Sequence, residues 1–143
     1  MRKLTTLLFP LLLFAYQVGD KVDSDILRQL KSDSKIVVVD FFASWCHSCA
    51  KELPQLQNFS YPKTEIVGVD VDEDVEAGRA FRKRLGLTIK TVEDPEGKIV
   101  SKFNPVGVPA IYIIVDGQVR DIIVGARDDI ASVLKNHLAR IAR

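Results

Sequence analysis

The sequence predicts an α/β domain in which parallel strands alternate with helices and a terminal hairpin completes the sheet. Three observations carry this. KIVVVDFF (35–42) and TEIVGVDV (64–71) are continuous β-branched and aromatic runs, as strands covered on both faces require. Each is followed by a helical pattern, and strand, helix, strand, helix in that order points to right-handed parallel crossovers. AIYIIV (110–115) and VRDIIVG (119–125) are strands meeting at Asp116-Gly117, a strong hairpin signal.

The remaining elements follow in chain order. Residues 1–19 open with Arg2 and Lys3, and Leu4 to Tyr16 is then almost wholly apolar. That pattern is expected of a cleaved secretory signal or an uncleaved membrane anchor through residues 4–18. The apolar run is shorter than the ~20 residues of a spanning helix, and no clear small-x-small cleavage pair follows Ala15. Residues 20–143 are then one domain. Val22, Ile26, Leu27 and Leu30 mark a short helix, and a second helix is expected from about Cys46 to Phe59, bent at Pro54. Asp72 is expected to cap a third, whose Ala77, Phe81 and Leu85 recur every four residues before Gly86 ends it. A short strand (87–93), an Asp-Pro-Glu-Gly turn and a short helix to Phe103 follow. The alternating second hairpin strand suits a sheet edge. Asp128 is expected to cap a last helix with Ile130, Val133, Leu134, Leu138 and Ile141 on one face.

Composition narrows the function. The chain has 143 residues, 47% of them hydrophobic and 27% charged, with a net charge of +1. This is an ordinary globular balance. No long basic stretch is present, which argues against a nucleic-acid partner.

The chemistry gathers in FFASWCHSCAKELP (41–54), which holds both of the chain's cysteines, Cys46 and Cys49. Three uses compete. As a structural staple the pair is poor, because so short a loop stabilises by only ~2 kcal/mol. As a zinc site it lacks ligands, since the histidines, His47 and His137, are far apart in sequence. As a redox centre it fits: a strand-to-helix junction places the first sulfur at a helix N-terminus, where free N–H groups and the dipole favour a thiolate.

VVVDFFASWCHSCAKELPQL resembles the active-site segment of the thioredoxin superfamily. Its Ala-Ser-Trp-Cys-x-x-Cys, x-x-Glu-Leu-Pro pattern is most similar to the TlpA/ResA-type exported disulfide reductases. VGVDVDEDVEAGRAFRKRLGLTIKTVEDPEGKIVSKF resembles that family's central helix and inserted strand-helix, and VGVPAIYIIVDGQV its cis-proline segment. The resemblance spans about residues 35–126. It implies a thioredoxin-like fold: a central mixed sheet flanked by helices, with the TlpA-type strand-helix insertion.

The resemblance also implies roles. Cys46 matches the nucleophile and Cys49 the resolving thiol, the two forming a disulfide when oxidised. Trp45, Val108 and Pro109 match the substrate-facing surface, with Pro109 cis. Asp40 matches the buried aspartate of thioredoxins; an ionised carboxylate inside such a run is disfavoured, so its pKa should rise and it could take a proton from Cys49. The lysine that thioredoxins hold nearby is replaced by Gly68. Glu52 matches a glutamate lining the active-site cavity. His47 and Ser48 depart from the pattern, Ser48 standing where proline is common, and are expected to tune the redox potential. His137 reads as a helix residue favouring the dipole.

The implied function is an exported, extracytoplasmic (periplasmic) thiol–disulfide oxidoreductase. Its electrons would come from a membrane thiol donor and go to disulfides in exported proteins, apocytochrome c among the family's substrates. No cofactor or metal is expected. A disulfide oxidase or isomerase, and a non-catalytic thioredoxin-like binding module, are the alternatives.

Overall fold

A computed structural model of the chain describes residues 15–143. The leader or anchor reading of residues 1–19 therefore lies outside the described residues as far as residue 14. Among the described residues, no helix is long and apolar enough to cross a membrane.

Five strands form one mixed sheet in the order β3-β2-β1-β4-β5. β1 (Ile36–Phe42) lies at its centre and is buried along its whole length. β2 (Thr64–Asp70) pairs with it in parallel, and β3 (Lys90–Glu93) continues in parallel at one edge. β4 (Ala110–Val115) is antiparallel to β1, and β5 (Gln118–Val124) is antiparallel to β4 at the other edge. Asp116 and Gly117, with φ of 49° and 78°, make the β4–β5 turn. Two positive φ angles suit the right-handed twist of a two-residue hairpin.

Alternation on β1 divides the core. Val37, Val39 and Phe41 face α1 (Ser24–Leu30), α4 (Val100–Phe103) and the segment before α1. Ile36 and Val38 face α2 (His47–Gln57) and α5 (Ile130–Ile141) through Leu56, Ile130, Leu134 and Leu138. Phe42, on that second face, packs with Leu53 of α2 and with Phe81 of α3 (Val75–Arg84). The first described residues, within the 1–19 segment, join this body. Tyr16 packs edge-on against Phe103, its N–H donates to the Lys102 carbonyl, and Gly19 N–H donates to Val119 on β5.

Several boundaries differ from expectation. α3 starts at Val75 and is capped by Asp74, whose Oδ1 accepts from Glu76 N and Ala77 N, so Asp72 is not the cap. Asp129 holds the cap position of α5 without a side-chain bond, while the Asp128 carbonyl accepts from Gln55 of α2. β3 is confined to residues 90–93. His137 pairs with Asp121 of β5 at 2.5 Å, a cross-element contact and not only a dipole partner.

Phe103 is fully buried, with ring centroids 4.9 Å from Tyr16, 5.1 Å from Phe41 and 4.8 Å from Tyr112. Phe103→Ala is expected to lower unfolding free energy by about 3–5 kcal/mol in denaturant titrations, the range for deleting a buried aromatic side chain.

Candidate active site

The site sits at the carboxyl ends of β1 and β2, where open α/β sheets place their reactive groups. β1 ends at Phe42, and residues 43–46 form a tight turn closed by Cys46 N–H donating to the Ala43 carbonyl at 3.1 Å. Cys46 is the N-cap of α2 in an extended backbone conformation. It is disulfide-bonded to Cys49, and Cys49 N–H donates to Cys46 Sγ at 3.2 Å. A first-turn amide thus already points at this sulfur, the contact that favours negative charge on it once the bond opens. Cys49 is fully buried, while Cys46 keeps a little exposed surface, so Cys46 is the sulfur that an incoming group reaches.

Trp45 is 71% exposed and so is not a core aromatic. The Val108–Pro109 peptide bond is cis. Val108 packs against the cluster that contains both cysteines, and among the described residues its main chain makes no hydrogen bond. Exposed Trp45 precedes Cys46 in the chain and Val108 packs beside the pair, while Pro109 is buried, its carbonyl accepting from Gly125 N–H at 3.1 Å. His47, the first residue of α2, is exposed. The Ser48 hydroxyl lies 3.6 Å from Cys46 Sγ and can only donate to it, because a disulfide sulfur carries no proton.

Two carboxyls are buried on β1 and α2: Asp40, and Glu52 three residues after Cys49. Asp40 is 1% exposed and its Oδ1 has no hydrogen-bond partner. Burial, with the charge of Glu52 adding to it, holds the Asp40 carboxyl well above the usual carboxylate range. Glu52 is 2% exposed and so is not a solvated helix glutamate; its Oε1 accepts from Arg127 N–H at 2.5 Å. Burial raises its pKa too, with the Arg127 bond opposing. Gly68, the register partner of Asp40, has no room for a side chain: an added Cβ would lie 2.8 Å from the Phe42 ring. The ring of Phe42 thus fills the space a side chain at Gly68 would take, and among the described residues no cation pairs with Asp40.

A second buried acidic pair was not singled out from sequence as part of the site. Asp72 is 4% exposed and accepts from Ser44 twice, from the N–H at 2.8 Å and from the hydroxyl at 2.6 Å. Asp72 N–H donates in turn to Asp70 Oδ1 at 3.0 Å, and Asp70 Oδ2 lies 3.3 Å from Arg82 Nε. Burial and the side-chain hydrogen bond with the Asp72 carboxyl push the Asp70 pKa up to about 7, while the bond from the Asp72 N–H opposes this. Burial pushes Asp72 the same way but is outweighed by its bonds from Asp70 and Ser44, which hold it low. The only sequence signal was the excess of acids in DVDED (70–74), more than one helix cap needs. Among the described residues, no cluster of three or more His, Cys, Asp or Glu side chains is placed to hold a metal.

Comparison with known proteins agrees with this geometry. A family profile described as thioredoxin-like matches residues 33–120. The thiol-disulfide oxidoreductase ResA of Geobacillus kaustophilus is 29% identical over 138 residues, covering 85% of this chain and 79% of that protein. ResA of Bacillus thuringiensis is 33% identical over 113 residues, covering 75% of this chain but only 62% of its own length. The crystal structure of a putative DsbE-type thiol:disulfide interchange protein from Chlorobium tepidum superposes with a TM-score of 0.75 at 20% identity, covering 88% of this chain and 98% of that one. With the sheet order, the Cys46–Cys49 helix terminus and the cis Val108–Pro109 bond in place, the chain belongs to the thioredoxin-like family.

Proposed function

We propose that the chain is a thiol–disulfide oxidoreductase that reduces disulfides in exported proteins. The observation that carries this is a Cys46–Cys49 disulfide at the N-terminus of α2, with Cys46 the outer sulfur. The ResA relatives, named for thiol–disulfide chemistry, support it.

The chemistry starts from the reduced pair. The Cys46 thiolate attacks one sulfur of a substrate disulfide; a Cys46–substrate bond forms, and the other substrate sulfur leaves as a thiolate and takes up a proton. The cis-proline segment and Trp45 hold the substrate chain, Val108 offering its free backbone. Asp40, in its ionised form, takes the Cys49 proton; Cys49 then attacks Cys46 Sγ, the second substrate sulfur leaves as a thiolate and regains that proton from Asp40, and the Cys46–Cys49 bond closes. Two electrons have passed to the substrate, and an external dithiol, a membrane thiol donor in this reading, restores the pair. Glu52 opposes ionisation of Asp40. The apolar leader supports export or anchoring. Apocytochrome c, with its Cys-x-x-Cys haem site, suits a reductase of this kind as substrate. His47 at the helix start favours the oxidase alternative, because a protonated imidazole would stabilise the Cys46 thiolate.

Cys46→Ser is expected to abolish insulin reduction, and full activity in that variant rejects the assignment. Cys49→Ser is expected to accumulate a mixed disulfide on Cys46, visible on non-reducing gels. A reduction potential below about −250 mV, measured against a glutathione or dithiothreitol buffer, is the expected result; one near about −120 mV makes the chain an oxidase.

Asp40 gives a pH signature. Its folded pKa is above the usual 3.8, so the stability linked to its proton is full below that value and is lost as pH rises through the raised one. Asp40→Asn is neutral at every pH. It should lack this decline, and so exceed the native chain in stability at alkaline pH in denaturant titrations. The same variant should slow mixed-disulfide resolution by about 100-fold in stopped-flow kinetics, the low end for losing a positioned base.

A further inference from the structure

We propose that Asp72 is a positioning residue for the nucleophile: its buried carboxylate grips Ser44 and thereby fixes the turn that presents Cys46 to the N-terminus of α2. The inference rests on the reading of Cys46 as the attacking thiolate.

The turn at 43–46 has two restraints. Cys46 N–H closes it onto the Ala43 carbonyl at 3.1 Å. Asp72 holds its outer corner, taking the Ser44 N–H at 2.8 Å and hydroxyl at 2.6 Å with separate oxygens. Two bonds from one residue to one carboxylate fix orientation as well as distance, and charge-assisted bonds are the stronger kind. Trp45 and Cys46, the next two residues, therefore leave the corner in a set direction. The thiolate's stabilisation depends on that direction, since only a sulfur at the N-cap receives the first-turn amides that Cys49 N–H exemplifies.

Asp72 is itself held from behind. Its N–H is bonded to Asp70, and Asp70 meets Arg82, whose guanidinium also bonds Glu93 of β3 at 3.0 Å. α3 fits over Asp70 only because residue 78 is glycine, as a Cβ there would lie 2.2 Å from Asp70 Oδ2. The helix cap is Asp74, so Asp72 is free to point at the turn. A carboxylate gripping the active-site turn, backed by an ion network on α3 and β3, has no use as a cap or as a surface charge.

The test reads Cys46 alone and needs no substrate. The reduced full chain is alkylated with iodoacetamide from pH 5 to pH 9, and the labelled cysteine is identified by mass spectrometry. Ser44→Ala is expected to raise the midpoint of Cys46 labelling by about one pH unit, roughly a tenfold loss of thiolate where the thiol predominates. Ser44→Thr, which keeps the hydroxyl, is expected to restore the native midpoint, an outcome that a general loosening of the fold would not give. In an Asp72→Ala background, Ser44→Ala should add nothing further; if that background does not fold, the two Ser44 variants decide. A native midpoint at the ordinary thiol value of about 8.5 overturns the nucleophile reading and this inference with it. A depressed native midpoint that Ser44→Ala leaves in place, or that Ser44→Thr fails to restore, overturns the positioning role alone.

Discussion

β1 is covered on both faces along all seven of its residues, and that constraint shapes the rest of the molecule. A strand with no solvent side needs a helical layer above and below, which is why α1 and α4 lie on one face and α2, α3 and α5 on the other. It also leaves only the strand's ends to carry chemistry. At the carboxyl end the chain must leave a packed sheet, reverse, and start α2 within four residues. The first amides of α2 have no helical partner, and the residue at the cap receives them. Placing a cysteine there gives a reactive sulfur without any cofactor.

The same burial gives the carboxyls their meaning. Two acidic pairs flank the active-site turn and helix, and they are stabilised in opposite ways. Asp72 stays ionised because it collects hydrogen bonds from Ser44 and Asp70. Asp40 has no such bonds, and burial first, then the charge of Glu52, disfavours its ionised form. One pair thus holds an anion that bonds the backbone of the turn. The other is pushed toward its protonated form. Exchanging their environments would exchange those roles, since no difference in side-chain chemistry separates them.

Much of this was legible in the sequence because it is written in periodicity. The uninterrupted apolar runs gave β1 and β2 and the Asp116-Gly117 pair the hairpin; the cysteine pair marked the redox corner, while the expectation of a cis Pro109 and a role for Trp45 rested on the family resemblance. The misreadings concern side chains that had a choice of partner. Asp72, Asp74, Asp128 and Asp129 are all competent helix caps, and selection among them depends on where the tertiary structure leaves an N–H unpaired: Ser44 claims Asp72, and α3 takes Asp74. The burial of Glu52 could be expected only from the resemblance, because α2 exposes or buries a position according to the loop that closes over it. That loop is residues 125–129, remote in sequence, with Arg127 N–H supplying the bond.

Gly68 shows how one absence redirects the site. Without a side chain there, the Phe42 ring moves in against the β2 backbone and seals the face on which Asp40 lies. A lysine at that position would offer Asp40 a counter-charge and lower its pKa. With an aromatic ring instead, ionising Asp40 places a bare charge in an apolar pocket beside Glu52. The proton on Asp40 therefore leaves only when another group makes its loss favourable and is easily regained when a donor is near. The exchange of lysine for glycine thus removes the counter-charge from this side of the sheet and leaves burial and Glu52 to set the ionisation of Asp40.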